Sequence, residues 1–518
     1  MLLAVSCNQQ GGDKNYQSKQ EELVPTLDRS VSADSERSIT KPDENFNTEE
    51  YGNIVENDFL AAKQNPLSTF SIDVDPAAYS NVRRFIREGR MPPNGAVRIE
   101  EMINYFDYDY APPQNDDPFA VYAEMASCPW NKQHRLVHIG LKGKEIPHDK
   151  LPPANLVFLI DVSGSMDEPN KLPLVKSSLK LLTDQMREQD KVAIVVYAGA
   201  AGLVLPSTAG NNKTKIKEAI ENLRAGGSTA GAEGIRLAYK IAKENFSENG
   251  NNRVILATDG DFNLGMSSDD ELVNLIEKEK NSNIFLTVLG YGMGNYKDSK
   301  MQQLADKGNG NHAYIDNENE AKKVLVNEFG GTLFTIAKDV KLQVEFNPAK
   351  VQSYRLIGYE NRMLKKEDFN NDQKDAGELG AGHRVTALYE IIPAGVKDEF
   401  TSSVDALKYQ AQFSNNSNAT DEILTIKLRY KEPKGETSKL IVHPVQDENT
   451  SLSNTSSNFR FSAAVAAFGM LLRNSAYKEQ ASYGDVIALA KDAKGKDEYG
   501  YRDEFIELVE EAQRLAKK

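Results

Sequence analysis

The chain has 518 residues, enough for about three domains of ordinary size. Its 62 Lys and Arg stand against 76 Asp and Glu, a net charge of −14, so its long-range field has the wrong sign for nucleic-acid backbones or anionic lipid surfaces. No apolar run reaches the ~18 residues that a membrane-spanning helix needs, and two cysteines, Cys7 and Cys128, are too few for a disulfide framework or a thiolate zinc site.

The N-terminus reads Leu2-Leu3-Ala4-Val5-Ser6-Cys7, a short apolar run with small residues ahead of a cysteine, followed by polar Asn8 to Gly12. The string resembles the end of a bacterial lipoprotein signal. The resemblance implies that residues 1–7 are a signal remnant, that Cys7 is lipidated, and that the protein is anchored in the cell envelope, at the outer membrane or on the periplasmic face. Cys128 would then stay a free thiol. From Asn8 to about Thr48 the chain has almost no periodic apolar residues and cannot offset its ordering entropy, so it is expected to be a disordered tether, with residues up to 66 grouped with it.

Beyond the tether, Phe119–Cys128 and Arg135–Leu141 alternate apolar and polar residues, the pattern of antiparallel strands with one wet face. The same alternation returns at Val340–Phe346, Val351–Ile357, Val385–Ile392, Ala406–Phe413, Ile423–Tyr430 and Leu440–Val445. Between these two sets the pattern changes. Buried strands at 155–160, 191–197, 253–257, 284–289 and 312–315, with a short edge strand at 202–205, are separated by amphipathic helices at 171–188, 213–223, 230–246, 271–280 and 300–306, and a closing helix runs over 318–334. Such regular alternation predicts a doubly wound α/β domain. Because antiparallel strands lie on both sides of it, the fold class is a doubly wound α/β domain combined with a β-sandwich built from flanking segments and a C-terminal helical segment. The divisions are 67–150, 151–336, 337–450 and 451–518. Phe461, Val465, Phe468 and Leu472 share one helical face, as do Phe505, Val509 and Ala512, and both stripes are read as core. Trp130, the only tryptophan, is expected to anchor the sandwich core, and His134 and His138 are read as surface residues.

Ligands on doubly wound sheets sit at the carboxyl ends of the strands. The first strand runs into Asp161-Val162-Ser163-Gly164-Ser165-Met166, and two other edges carry polar signals: Gly226-Gly227-Ser228-Thr229 before a helix and Thr258-Asp259-Gly260 after a strand. The topology brings all three loops to one edge. They offer an all-oxygen donor set with few carboxylates, suited to Mg²⁺ (or Mn²⁺ or Ca²⁺), and such a metal stays electrophilic toward an outside anionic oxygen.

Asp161, Ser163 and Ser165, with Thr229 and Asp259, resemble the metal-ion-dependent adhesion site of von Willebrand factor type A domains over about residues 151–336. By that resemblance the two serines ligate the metal directly, Thr229 and Asp259 do so directly or through water, and Asp161 acts mainly through water; a carboxylate of a partner protein fills the open position. Pro66–Asp75, Asn104–Tyr108, Cys128–Asn131 and Tyr354–Arg362 are similar to the N- and C-terminal domains that flank the type A domain in a group of bacterial proteins.

The expected function is metal-dependent protein binding by an envelope lipoprotein, without catalysis. A structural scaffold with an idle metal site is the alternative. A phosphatase is a weaker one: Asp73-Val74-Asp75 resembles the DxD nucleophile motif of haloacid-dehalogenase-like phosphatases, but Ala77 stands where that motif has Thr or Val. The plainer reading of Asp75 is the cap of a helix opened by Pro76.

Overall fold

The computed structural model describes residues 47–114, 116–228, 231–260, 269–328, 334–400, 420–448 and 450–517. Cys7, most of the expected tether and the strand expected at 406–413 lie outside the described residues. The first described stretch, 47–66, is folded, although composition grouped it with the tether. Thr48 and Glu50 donate their backbone N–H groups to Gly294 and Tyr296, and Glu49 pairs with buried Arg84 at 2.8 Å. A few specific polar contacts therefore hold a segment that has no apolar periodicity.

Next come β1 (Leu60–Ala61), β2 (Leu67–Ser71), α1 (Ala77–Arg87), α2 (Ile99–Asn104) and the antiparallel pair β3 (Phe119–Ser127) and β4 (Arg135–Gly143). At the start of α1 the N-cap is Pro76, and Asp75 makes no cap. Glu101 of α2 does that work, accepting from the Ala78 N–H at 2.8 Å.

The α/β unit follows: β5 (Ala154–Asp161), α3 (Leu172–Gln185), β6 (Lys191–Tyr197), β7 (Ala201–Ala209), α4 (Lys213–Glu221), α5 (Gly231–Glu244), β8 (Asn251–Thr258), α6 (Asp269–Lys280), β9 (Phe285–Tyr291), α7 (Asp298–Lys307), β10 (His312–Ile315) and α8 (Glu318–Lys322). The sheet order is β10-β9-β8-β5-β6-β7, parallel except for edge strand β7. Leu179, Leu182, Ile216 and Val324 cover one face, and Ile235, Ala238, Leu272 and Leu304 cover the other. Two covered faces explain why the strands read as continuous apolar runs. Within the expected closing helix, α8 passes into a π-helical turn at Lys323–Asn327, and 329–333 lie outside the described residues.

The chain then returns to the sandwich as β11 (Thr335–Phe346), β12 (Val351–Ile357), β13 (Gly377–Gly380), β14 (Arg384–Pro393), β15 (Glu422–Lys431) and β16 (Lys439–Gln446). One sheet runs β1-β12-β14-β4-β3; in the other, β11 pairs with β15 along one edge and with β13 and β2 along the opposite edge. Both sheets thus mix strands from before and after the α/β unit, as the sequence predicts. A single turn clasps the insertion: Ala381 N–H donates to the Phe334 carbonyl at 2.8 Å and Gly382 N–H to the Lys144 carbonyl at 3.0 Å.

The last helices, α9 (Ser457–Arg473), α10 (Tyr483–Asp492) and α11 (Tyr501–Leu515), share a core with α1 and α2. Ser456 caps α9 by accepting from the Phe459 N–H. Gly469 lets α9 approach α2 closely, since a Cβ there would lie 2.8 Å from Ile99. The predicted stripes of Phe461, Val465, Phe468 and Phe505 face this core. Trp130 belongs to it too, rather than to the interior of the sandwich. His134 and His138 are likewise not surface residues; they are 1% and 2% exposed.

Candidate metal site at the sheet edge

Strand β5 is followed in chain order by β6 on one side, and its other neighbour is β8. The crevice beyond their carboxyl ends is the switch point of the sheet. Asp161 closes β5 and Asp259 follows β8, so the two carboxylates reach this crevice from adjacent strands; both are fully buried.

Each Asp161 oxygen is held. Oδ1 accepts from the Ser163 N–H at 2.8 Å, which folds the loop back over the strand end, and Oδ2 accepts from Thr258 Oγ1 at 3.2 Å. Burial, and to a lesser degree the charge of Asp259, push the Asp161 carboxyl up to about 6 despite these donors. Among the described residues no Lys, Arg or His forms an ion pair with it. Ser163 and Ser165 place their Oγ atoms 3.1 Å apart. That separation fits two adjacent ligands of an octahedral ion with bonds of about 2.1 Å, whose neighbouring ligands lie ~3.0 Å apart. Hydroxyl and carboxylate oxygens alone form the set, so the residues present suit a hard divalent ion.

The second loop is brought to the first by its backbone. Gly164 N–H donates to the Gly227 carbonyl at 3.1 Å, and Gly226 N–H donates to the Val162 carbonyl at 2.8 Å. Thr229, two positions past Gly227, lies outside the described residues. The third loop turns at Gly260, where φ is +95° and a Cβ would lie 2.6 Å from the Lys297 nitrogen. Only glycine fits that turn.

Three contributors escaped sequence reasoning. Lys171 Nζ lies 3.1 Å from Asp259 Oδ2 and Asn295 Nδ2 donates to the same oxygen at 3.0 Å, so Asp259 already has a cation beside it. The lysine stem runs against Gly292, where a Cβ would meet Lys171 Cε at 2.5 Å. Thr258 stands in the quoted Thr-Asp-Gly string, and its position beside Asp259 was the available signal. Lys171 and Asn295 carry none, because only the fold brings the end of one loop and a glycine-rich turn together.

Asp73 and Asp75 sit elsewhere. They follow β2, an antiparallel sandwich strand rather than the centre of a parallel sheet. Asp75 accepts from the His312 N–H at 2.7 Å, and both carboxylates converge with Asp306 on Arg362. That is a structural ion cluster and lacks the setting a phosphoryl-accepting aspartate needs.

A doubly wound sheet with Asp-x-Ser-x-Ser ending one central strand and Thr-Asp-Gly ending its neighbour defines a von Willebrand factor type A domain protein, and the profile of that domain matches residues 155–328. A profile described as von Willebrand factor matches residues 45–138, which takes in the folded stretch from 47, and one described as uncharacterized protein YfbK, C-terminal, matches 331–515. The uncharacterized protein YfbK of Escherichia coli (strain K12) is 43% identical over 510 residues, covering 97% of this chain and 87% of its own. The chain belongs to the YfbK family of type A domain proteins. It is also similar to human inter-alpha-trypsin inhibitor heavy chain H3, 25% identical over 175 residues, 32% of this chain and 20% of that one. Among solved structures, von Willebrand factor type A from Catenulispora acidiphila is similar with a TM-score of 0.42 and 16% identity, covering 78% of this chain and 91% of that chain. Type A domains commonly mediate protein interactions and metal-dependent binding, and proteins that carry them are generally not enzymes.

Proposed function

We propose that this protein binds a protein partner in the bacterial cell envelope through a divalent cation, Mg²⁺ or a close substitute such as Mn²⁺ or Ca²⁺, held by Asp161, Ser163, Ser165, Thr229 and Asp259. The observation that carries the reading is the hydroxyl pair of Ser163 and Ser165 beside the buried Asp161, which has no ion-pair partner among the described residues, at the switch point. When bound, the cation supplies an electrophilic centre for an anionic oxygen, here a carboxylate of the partner. The chain's own residues set the conditions. Ser163 and Ser165 present neutral oxygens that leave the positive charge unspent; Asp161 orients the loop through the Ser163 N–H; Lys171 and Asn295 fix the Asp259 carboxylate. A lipid at Cys7 would hold the protein at the membrane, with the residues that follow as a tether.

Calorimetric titration of Mg²⁺ or Mn²⁺ into the parent and Asp161→Ala tests the metal: binding heat in the parent and none in the variant is expected, and equal heats refute it. Partner capture from envelope extract should be abolished by chelator and by Asp161→Ala. One observation favours a second reading, a scaffold that needs no metal: Lys171 already compensates Asp259. That reading predicts capture unaffected by either treatment. For the anchor, fatty-acid labelling in a bacterial host should disappear in Cys7→Ser.

A further inference from the structure

Between the sandwich and the C-terminal helices lies a second cluster of ligating groups, drawn from distant parts of the chain. His134 (entering β4) and Glu390 (on β14) are fully buried, with His134 Nδ1 and Glu390 Oε1 2.6 Å apart. Glu479, just before α10, brings its Oε1 to 3.8 Å from the same ring nitrogen. These three ligand atoms lie within 4.8 Å of one another. The Glu479 Oε1 is buried and has no hydrogen-bond partner among the described residues, while its Oε2 accepts from Asn131 at 2.7 Å. One carboxylate oxygen is thus held in place facing the His134–Glu390 pair with nothing to accept.

On the far side of the ring, Asp398 Oδ2 sits 2.9 Å from His134 Nε2. A carboxylate on the outer nitrogen of a ligating histidine fixes the tautomer and turns the other nitrogen inward as a donor of electrons. Glu390 Oε2 is held by the Arg355 guanidinium at 2.9 Å, which leaves Oε1 toward the ring. Phe59 packs edge-on against the ring and stacks on Phe400, which keeps bulk water away.

We propose that His134, Glu390 and Glu479 form a buried site for a divalent transition-metal ion of the zinc class, separate from the sheet-edge site. Zinc takes histidine nitrogen and carboxylate oxygen at about 2.0–2.2 Å, which sets neighbouring ligand atoms ~3.3 Å apart in a tetrahedral shell. The separations of 2.6 and 3.8 Å from the ring nitrogen bracket that figure, and all three ligand atoms lie within 4.8 Å of one another. The ion would take the place of the direct His134 Nδ1–Glu390 Oε1 contact. The imidazole suits zinc better than magnesium, so the two sites sort their metals by chemistry.

The test is Zn²⁺ titration by calorimetry into the full chain carrying Asp161→Ala, with excess Mg²⁺ present so that the sheet edge contributes nothing. One Zn²⁺ per chain is expected. Glu479→Gln, a part-exposed position that leaves the core intact, should weaken binding by tenfold or more, and His134→Asn by about a hundredfold. A Co²⁺ absorption band from tetrahedral coordination should appear in the Asp161→Ala chain and vanish in the His134→Asn derivative. Absence of zinc heat, or Glu479→Gln binding zinc as tightly as its parent, would overturn the proposal and leave an ion-pair network only.

Discussion

Two regions bury carboxylates, and they treat them in opposite ways. In the sandwich, Glu390 is wrapped by its own counter-charges: Arg355 at 2.9 Å on one oxygen, His134 at 2.6 Å on the other. Burial works against its ionised form, but these partners outweigh it and hold the carboxyl below the usual range. At the edge of the α/β sheet, Asp161 has donors but no ion-pair partner among the described residues, and burial wins, lifting its carboxyl to about 6. The first arrangement spends polar groups on joining elements that are distant in sequence. The second keeps a charge under-compensated, which weakens the fold locally and prepares it for an external cation.

The sharpest way to break this contrast is Glu390→Gln. It strands Arg355 in the core and should cost about 3–5 kcal/mol, the usual penalty for removing one partner of a buried pair; a loss of unfolding free energy in urea below a third of that would mean the cluster is not a structural joint. Gly260→Ala attacks the other region through its backbone. With φ at +95° and the Lys297 nitrogen 2.6 Å from the new Cβ, a loss of ~2 kcal/mol is expected together with loss of Mg²⁺ heat. Unchanged stability would show that the third loop is softer than described.

Acid sharpens the sandwich side. His138 is buried between Tyr110 and Ser462, and burial lowers it to about 3, so the folded chain holds it neutral while the unfolded chain protonates it near its ordinary value of 6.5. Its contribution is therefore present above pH ~6.5 and lost as pH falls toward 3, at about 1.4 kcal/mol per pH unit. His138→Gln should flatten the acid limb of the stability curve by that slope. The smallest effect is expected at the sheet edge. Asp161→Asn keeps an acceptor for the Ser163 N–H and removes the uncompensated charge, so chelator-treated protein should gain ~1 kcal/mol while losing its metal. A loss of stability there would equate the two regions after all.

The sheet-edge site was readable because its residues sit close together in three short strings at strand ends, where periodicity already marks the edge. The α/β strands were equally plain, since burial on both faces leaves an unbroken apolar run. What escaped was long-range. His134, the Glu390–Asp398 stretch and Glu479 lie far apart in sequence, and a histidine beside an alternating strand gives no sign of its partners. Trp130 fell outside the sandwich interior because the helical core extends over the end of β3, which period-two patterning cannot reveal. The segment at 47–66 is ordered by backbone and ion-pair contacts, and composition registers neither.

The turn that clasps Lys144 and Phe334 bears on mechanics. The α/β unit leaves the sandwich and re-enters it at neighbouring points pinned by the same few hydrogen bonds. Thr48 and Glu50 are tied to Gly294 and Tyr296, on either side of Asn295, so tension entering from the N-terminal side reaches the sheet edge before it reaches the clasp. The clasp fixes where the α/β unit joins the sandwich, while the N-terminal segment couples load to the sheet edge itself.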